Sequence, residues 1–308
     1  MALDREQWLS DIEENLFKNN VIINRATNHD VFVNFKTVHV PQAGANPTIT
    51  KNVGSFPASI VRRTDTELTY SMDTYYVAPI HIERGQELSY ISYDKRMSVL
   101  NQNINALEDV LTNQALYKWA PAGAGTFVKT SGLAVSSALA PSATLTRLAI
   151  TLADILKAKA ILDAQNVPQK GRVLVMPSDL YNAQLLAIPD VYQMQSYGSS
   201  ALPDGVVNRI HGFDIVIRST VVVYDNTATP VLKAVNDSGT PSSPAVTDNL
   251  ACLAYHPSFV AKAKGGAEVF IDEDKPEYYG TIVSAFQLFG ASKMRTSQTG
   301  IVAIVQAN

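Results

Sequence analysis

The chain has 308 residues, 46% of them hydrophobic and only 17% charged, with a formal net charge of −3. That length suits one elaborate domain or two ordinary ones, and the near-neutral balance excludes a dedicated nucleic-acid binder, which needs dense Lys and Arg to neutralise phosphates. A single cysteine, Cys252, excludes an intrachain disulfide framework, and low surface charge favours association over repulsion.

In chain order, Asp4 opens a short helix with Trp8, Ile12 and Leu16 on one face, stopped at Asn19-Asn20. No basic stretch followed by an apolar one precedes it, and no apolar run approaches the ~20 residues of a bilayer span, so the expectation is a protein folded in a reducing cytoplasm with no membrane. Val21 to Ile23 and Val31 to Phe35 are short apolar stretches that complete an N-terminal arm. From Lys36 to Tyr93 the chain is β-prone, but Pro41, Gly44, Pro47, Gly54 and Pro57 break its start. This reads as a two-stranded hairpin with its tip near Ala43 to Phe56, and two strands alone are marginal in water. Its cover must come from another molecule. Arg62-Arg63 with Asp65 and Glu67 put mixed charge on the returning strand, as a guarded edge or as intersubunit pairs.

A long amphipathic helix follows over Asp94 to Trp119, with Met97, Leu100, Ile104, Leu107 and Leu111 in one stripe. Pro121 and Gly123 end it, and Ala120 to Thr146 reads as a loose connection anchored at Phe127-Val128 and Leu133 to Val135. A second amphipathic helix is predicted over Leu148 to Gln165, then a buried strand over Arg172 to Met176, then a helix from Leu180 capped by Ser178-Asp179. Gly212 to Val223 is another buried strand, Asp225 to Asp248 a polar loop, and Leu250 to Tyr255 and Phe259 to Lys264 further strands. Glu268, Asp272, Glu273, Asp274 and Glu277 read as a solvated turn rather than a cation site, and Thr281 to Gly290 and Gly300 to Gln306 as a β return.

The sequence carries no chemical signature. His29, His39, His81, His211 and His256 are scattered without metal-ligand spacing, and neither a phosphate-binding glycine loop nor a Gly-x-Ser-x-Gly elbow occurs. Ala122 to Thr126 lacks the third glycine of a dinucleotide fingerprint and reads as linker. No catalytic, cofactor or metal residue is assigned, and the protein is expected not to be an enzyme.

Several segments in this order resemble the major capsid proteins of tailed bacteriophages, the Hong Kong 97 fold. The most specific is Asn166-Val-Pro-Gln-Lys-Gly-Arg-Val-Leu-Val-Met-Pro-Ser-Asp-Leu-Tyr-Asn-Ala-Gln-Leu-Leu186, followed by Asn208-Arg-Ile-His-Gly-Phe-Asp-Ile-Val-Ile-Arg-Ser219. The resemblance implies an α+β fold: an N-terminal arm (1–35), an extended loop (36–76), a peripheral domain (77–172) with spine helix 94–119, an axial domain (173–264), and return strands (265–308). It also implies pentamers and hexamers that close an icosahedral head in the host cytoplasm around double-stranded DNA. A separate scaffolding protein, a portal and decoration proteins would be its partners. Intersubunit contacts are expected at Trp8, Phe17, Lys51, Phe56, Arg62, Arg63, Asp65 and Glu67. Two other readings stay open: an encapsulin-like compartment shell, and a small hydrolase or binding protein with a fold-assembled site.

Overall fold

A computed structural model describes residues 20–44, 46–52, 54, 56, 60–84, 95–123, 126–136, 139, 146–188, 209–225, 229–241 and 247–308. The predicted N-terminal helix, with Trp8 and Phe17, lies outside the described residues. The first described segments are single 3-10 turns at Val21–Arg25 and Asp30–Phe32, alternating with the two-residue strands Thr27–Asn28 (β1) and Val33–Asn34 (β2). Thr37–Gln42 (β3), Thr66–Ser71 (β4) and Asp73–Glu83 (β5) follow, then helix Lys95–Trp119 (α1). Short strands Phe127–Lys129 (β6), Ala134–Val135 (β7) and Arg147–Leu148 (β8) lead to helix Leu152–Ala164 (α2) and strand Arg172–Pro177 (β9). Beyond them come Arg209–Ile210 (β10), Phe213–Arg218 (β11), Val222–Asp225 (β12), Val231–Leu232 (β13), Asp248–Tyr255 (β14), Val260–Lys275 (β15), Gly280–Lys293 (β16) and Ile301–Val305 (β17).

The apolar runs become the centre of an eight-stranded mixed sheet, ordered β10-β11-β9-β14-β12-β13, with β17 paired to β14 and to β6. Successive side chains on a strand point to opposite faces, and here both faces are covered. Val173, Val175, Leu253, Tyr255, Ile301 and Ala303 pack toward Leu111, Leu116 and Trp119 of α1. Leu174, Met176, Cys252, Ala254, Val302 and Ile304 pack toward Ile155, Ala158 and Leu162 of α2. Two covered faces explain why β9, β14 and β17 are buried at every residue and why Val173 to Met176, Leu250 to Tyr255 and Ile301 to Val305 read as unbroken apolar runs.

The family-like motif acquires a physical meaning at the end of α2. Asn166 takes a left-handed backbone, with φ of 57°, and Arg172, 1% exposed, turns back beneath it. Its guanidinium donates to Val167 O at 2.7 Å and Pro168 O at 2.9 Å, and pairs with Asp163 at 2.6 Å. One arginine thus pins the segment that follows the helix, whose own last carbonyls at Ile161, Leu162 and Asp163 are taken by Gln165 N, Val167 N and Asn166 N. At the second motif, His211 and Gly212 both have positive φ, 49° and 87°, which is the two-residue turn that joins twisted strands β10 and β11.

Several boundaries differ from expectation. Helix α2 begins at Leu152 because Thr151 and Asp154 form a reciprocal capping box there, which leaves Leu148 in a strand. Burial alone would raise the Asp154 carboxyl, but hydrogen bonds from Ser131, Thr151 and Lys157 outweigh it and hold the group below its usual range. The segment 180–185 is a single π-helical turn, and the Asp179 side chain caps nothing. The strand expected over 212–223 is two strands, interrupted at 219–221. The acidic residues Glu268, Asp272 and Glu273 sit on β15 and not in a turn, because β15 runs to Lys275 in register with β16.

A second, four-stranded sheet is ordered β1-β15-β16-β5. Trp119 ties α1 to it: fully buried, it donates from Nε1 to Ala261 O at 2.9 Å and leans on Tyr255 at 5.6 Å between ring centroids. The predicted stripe on α1 divides along its length. Leu111 is fully buried, whereas Leu107 is half-buried and Ile104 is 49% exposed. Of the described stripe residues, Leu107 and Leu111 pack against this subunit's own core and Ile104 is exposed.

Candidate assembly surface

Strands β3 and β4 pair antiparallel from Thr37↔Ser71 to Gln42↔Thr66, with β2 added at the edge. The arm expected between Lys36 and Tyr76 is therefore a hairpin. Its root is anchored: Val38, Val40, Met72 and Ala263 form a small buried cluster against Leu68, Tyr70 and Leu288. Gln42 Nε2 donates to Met294 O, and Met72 N to Lys36 O.

His29, 3% exposed, is packed at the same root. Its Nδ1 lies 3.3 Å from Tyr70 Oη, and its ring meets Phe32 edge-on at 5.6 Å. Burial lowers the His29 pKa, only partly offset by the neighbouring Asp30 carboxylate, so the ring is neutral at pH 7. Asp30 Oδ1 in turn accepts from Lys264 N at 2.6 Å.

Beyond Gln42 the character changes. No ladder joins residues 43–65 among the described residues, and Ile49, Phe56, Ile60 and Val61 are 84–98% exposed. Four large apolar side chains laid bare between residues 49 and 61 are unusual for a surface that stays in water. Lys51, Arg62, Arg63, Asp65 and Glu67 are exposed on the same projection.

Part of the mixed charge is absorbed within the arm. Arg63 pairs with Asp65 at 2.7 Å, and Gly44 N donates to the same carboxylate at 2.9 Å. Those bonds hold Asp65 below the ordinary carboxylate range. Glu67 meets His39 across the hairpin at 2.6 Å. Pairing of Glu67 with His39 was not anticipated; the cross-strand register would have revealed it, since Pro41 stands opposite Glu67 and His39 opposite Thr69, one diagonal step away.

A second uncovered region lies on the four-stranded sheet. Val269, Phe270 and Ile271 on β15 are 45–52% exposed, Tyr76 on β5 is 76% exposed, and Phe286 between them stacks on Phe270 at 5.8 Å and meets Tyr76 at 6.0 Å. Among the described residues no cluster of three or more His, Cys, Asp or Glu could hold a metal, and no helix is long and apolar enough to cross a membrane. Cys252 is wholly buried, and burial pushes its thiol pKa far up, which makes it inert.

A tightly packed double-faced core is thus joined to an anchored hairpin that bears bare apolar residues. The comparisons name the class: the sequence matches the phage capsid protein family over residues 38–306, and the chain belongs to that family. No curated protein matches the sequence. The fold is similar to the capsid protein of the cyanophage P-SCSP1u, with 18% identity, a TM-score of 0.68, and 98% of this chain and 92% of that one covered. It is also similar to that of Mycobacterium phage Che8, with 17% identity, a TM-score of 0.63, and coverage of 96% and 95%. A third likeness is to the capsid of the native GTA particle, with 11% identity, a TM-score of 0.64, and coverage of 97% and 94%. The protein is a structural component of a virion capsid and not an enzyme, which removes the hydrolase reading.

Proposed function

We propose that the chain is the major head protein, which forms pentamers and hexamers and closes them into an icosahedral shell around double-stranded DNA. In this reading the architecture is that of the Hong Kong 97 fold: residues 1–35 are the N-terminal arm and 36–76 the extended loop. Residues 77–172 form the peripheral domain around α1, 173–264 the axial domain, and 265–308 the return. The observation that carries the proposal is the bare hairpin tip. Each apolar side chain covered by a neighbour contributes roughly 25 cal/mol per Å² removed from water, and repetition over many identical contacts turns modest pair affinities into a closed shell. DNA would be enclosed without sequence recognition, and scaffolding, portal and decoration proteins would be separate chains. Assembly in the host cytoplasm completes the proposal.

Sedimentation and negative-stain imaging of the purified protein test it. Capsomers, sheets, tubes or shells are expected; a single species of 33.4 kDa over a wide concentration range would overturn it.

A further inference from the structure

A cavity of about 220 Å³ lies where α1, the start of β12 and the head of β14 meet the turn at 239–241. Its walls are mainly apolar: Tyr117, Leu139, Val221, Val223, Pro241 and Leu250. Thr220 and Thr240, both exposed, mark its open side. The turn is held on α1 by Gln114 Nε2, which donates to Asn236 O at 3.0 Å. Gly239 lies so close to the helix, at a φ of +70°, that a Cβ there would stand 2.5 Å from Asn113 Cβ, so the turn has no room to sink inward and fill the space. An apolar cavity of about 150 Å³ holds benzene; this one has room for a substituted ring.

Two buried donors on the α1 wall are unspent. Asn113, 4% exposed, accepts from Arg218 Nη1 at 2.6 Å. A guanidinium can only donate, so that bond fixes the amide oxygen and leaves Nδ2 without an acceptor among the described residues. Tyr117, 6% exposed, accepts from Val223 N at 3.1 Å, and its own O–H likewise has no acceptor among the described residues. Burial pushes the phenol pKa up to about 12, so the proton stays on at pH 7. Residues four apart on a helix are neighbours on one face, which brings both donors to the same wall. Asp248, the one charged side chain of the lining, is already paired with Lys233, so the cavity has nothing to offer an ion. We propose that it binds a small, neutral, mainly apolar molecule with one hydrogen-bond acceptor, whose oxygen takes the Tyr117 proton with Asn113 as second donor. Such a ligand bridges α1 to the eight-stranded sheet within one subunit, and the site is independent of the shell reading.

Acetophenone, a substituted ring with one carbonyl, and α-methylstyrene, the same shape with a methylene in place of the oxygen, are the probes. Saturation-transfer NMR titrations on the purified protein, in whatever assembly state it adopts, measure both. Saturable binding of each is expected, with acetophenone about fivefold tighter, the worth of one neutral hydrogen bond. Tyr117→Phe should abolish that preference and leave α-methylstyrene within twofold of the parent. Leu139→Trp, which fills the cavity from a half-buried wall, should weaken both probes at least tenfold. No saturable binding, equal affinities in the parent, a preference that survives Tyr117→Phe, or binding that survives Leu139→Trp overturns the proposal. If either variant does not fold, the comparison of the two probes on the parent decides alone.

Discussion

Asp109→Ala should destabilise the subunit by about 3 kcal/mol, more than removal of the arginine it serves. Arg218 lies at the end of β11 with no side-chain exposure, while the Asp109 side chain on α1 is 21% exposed. The guanidinium meets Asp109 at 2.5 Å, Asn113 Oδ1 at 2.6 Å and Asn20 Oδ1 at 3.3 Å. Burial already disfavours the cation, and loss of the carboxylate leaves it with amide oxygens only. Stranding one partner of a buried pair costs about 3–5 kcal/mol; the two amides place this case at the lower end, roughly a hundredfold in the unfolding equilibrium. Arg218→Met removes the charge and keeps most of the volume, and Asp109 can turn to water, so its cost should be about 1 kcal/mol. The double variant should lie near Arg218→Met, well above Asp109→Ala. Urea unfolding of dissociated subunits, followed by circular dichroism, measures all three. Equal losses for the two single variants would show that the pair is held by packing and not by the need to compensate a buried cation.

Gly300→Ala should cost about 2–4 kcal/mol, since Gly300 has a φ of +82° and a new Cβ would stand 2.3 Å from the Phe259 ring; a melting temperature within a degree of the parent would contradict this. His29 has a folded pKa below that of the unfolded chain, so the unfolded state binds the proton first and stability falls as pH drops below about 6.5, levelling off below the folded value. His29→Gln should flatten the dependence of melting temperature between pH 7.5 and 5, and an unchanged slope would assign that window to other groups. Deletion of residues 46–56 should leave circular dichroism and protease resistance intact while blocking shell closure; an unfolded subunit would mean the tip is core. Lys51 is exposed, and boiled particles should run as one band near the monomer mass, whereas a ladder lost in Lys51→Ala would reveal a covalent cross-link.

Much of the interior was legible because it depends on local pattern. The unbroken apolar runs of β9, β14 and β17 announced strands covered on both faces, and the 3.6-residue stripe of α1 located a helix that the structure describes over Lys95–Trp119. Features set by distant pairing were not legible. Gly265-Gly266 and the acids after them look like a turn, and only the long register with Gly280–Lys293 makes them a strand. Ile104 shares its stripe with Leu111, yet periodicity reports which face is apolar and says nothing about whether the covering surface lies in the same chain. At the assembly surface, Lys51, Phe56, Arg62, Arg63, Asp65 and Glu67 are exposed on the arm, while a bare strand edge has no mark in a single sequence.

The order of strands also constrains how the subunit is made. Among the described residues, strand β6 pairs in the large sheet only with β17, and β5 pairs in the smaller sheet only with β16. Each sheet therefore waits for residues that leave the ribosome more than 150 positions later. A nascent chain cannot offer a finished surface until residue 305 has emerged. A chain cut short before β16 and β17 would lack the partners of β5 and β6 and leave both sheets incomplete.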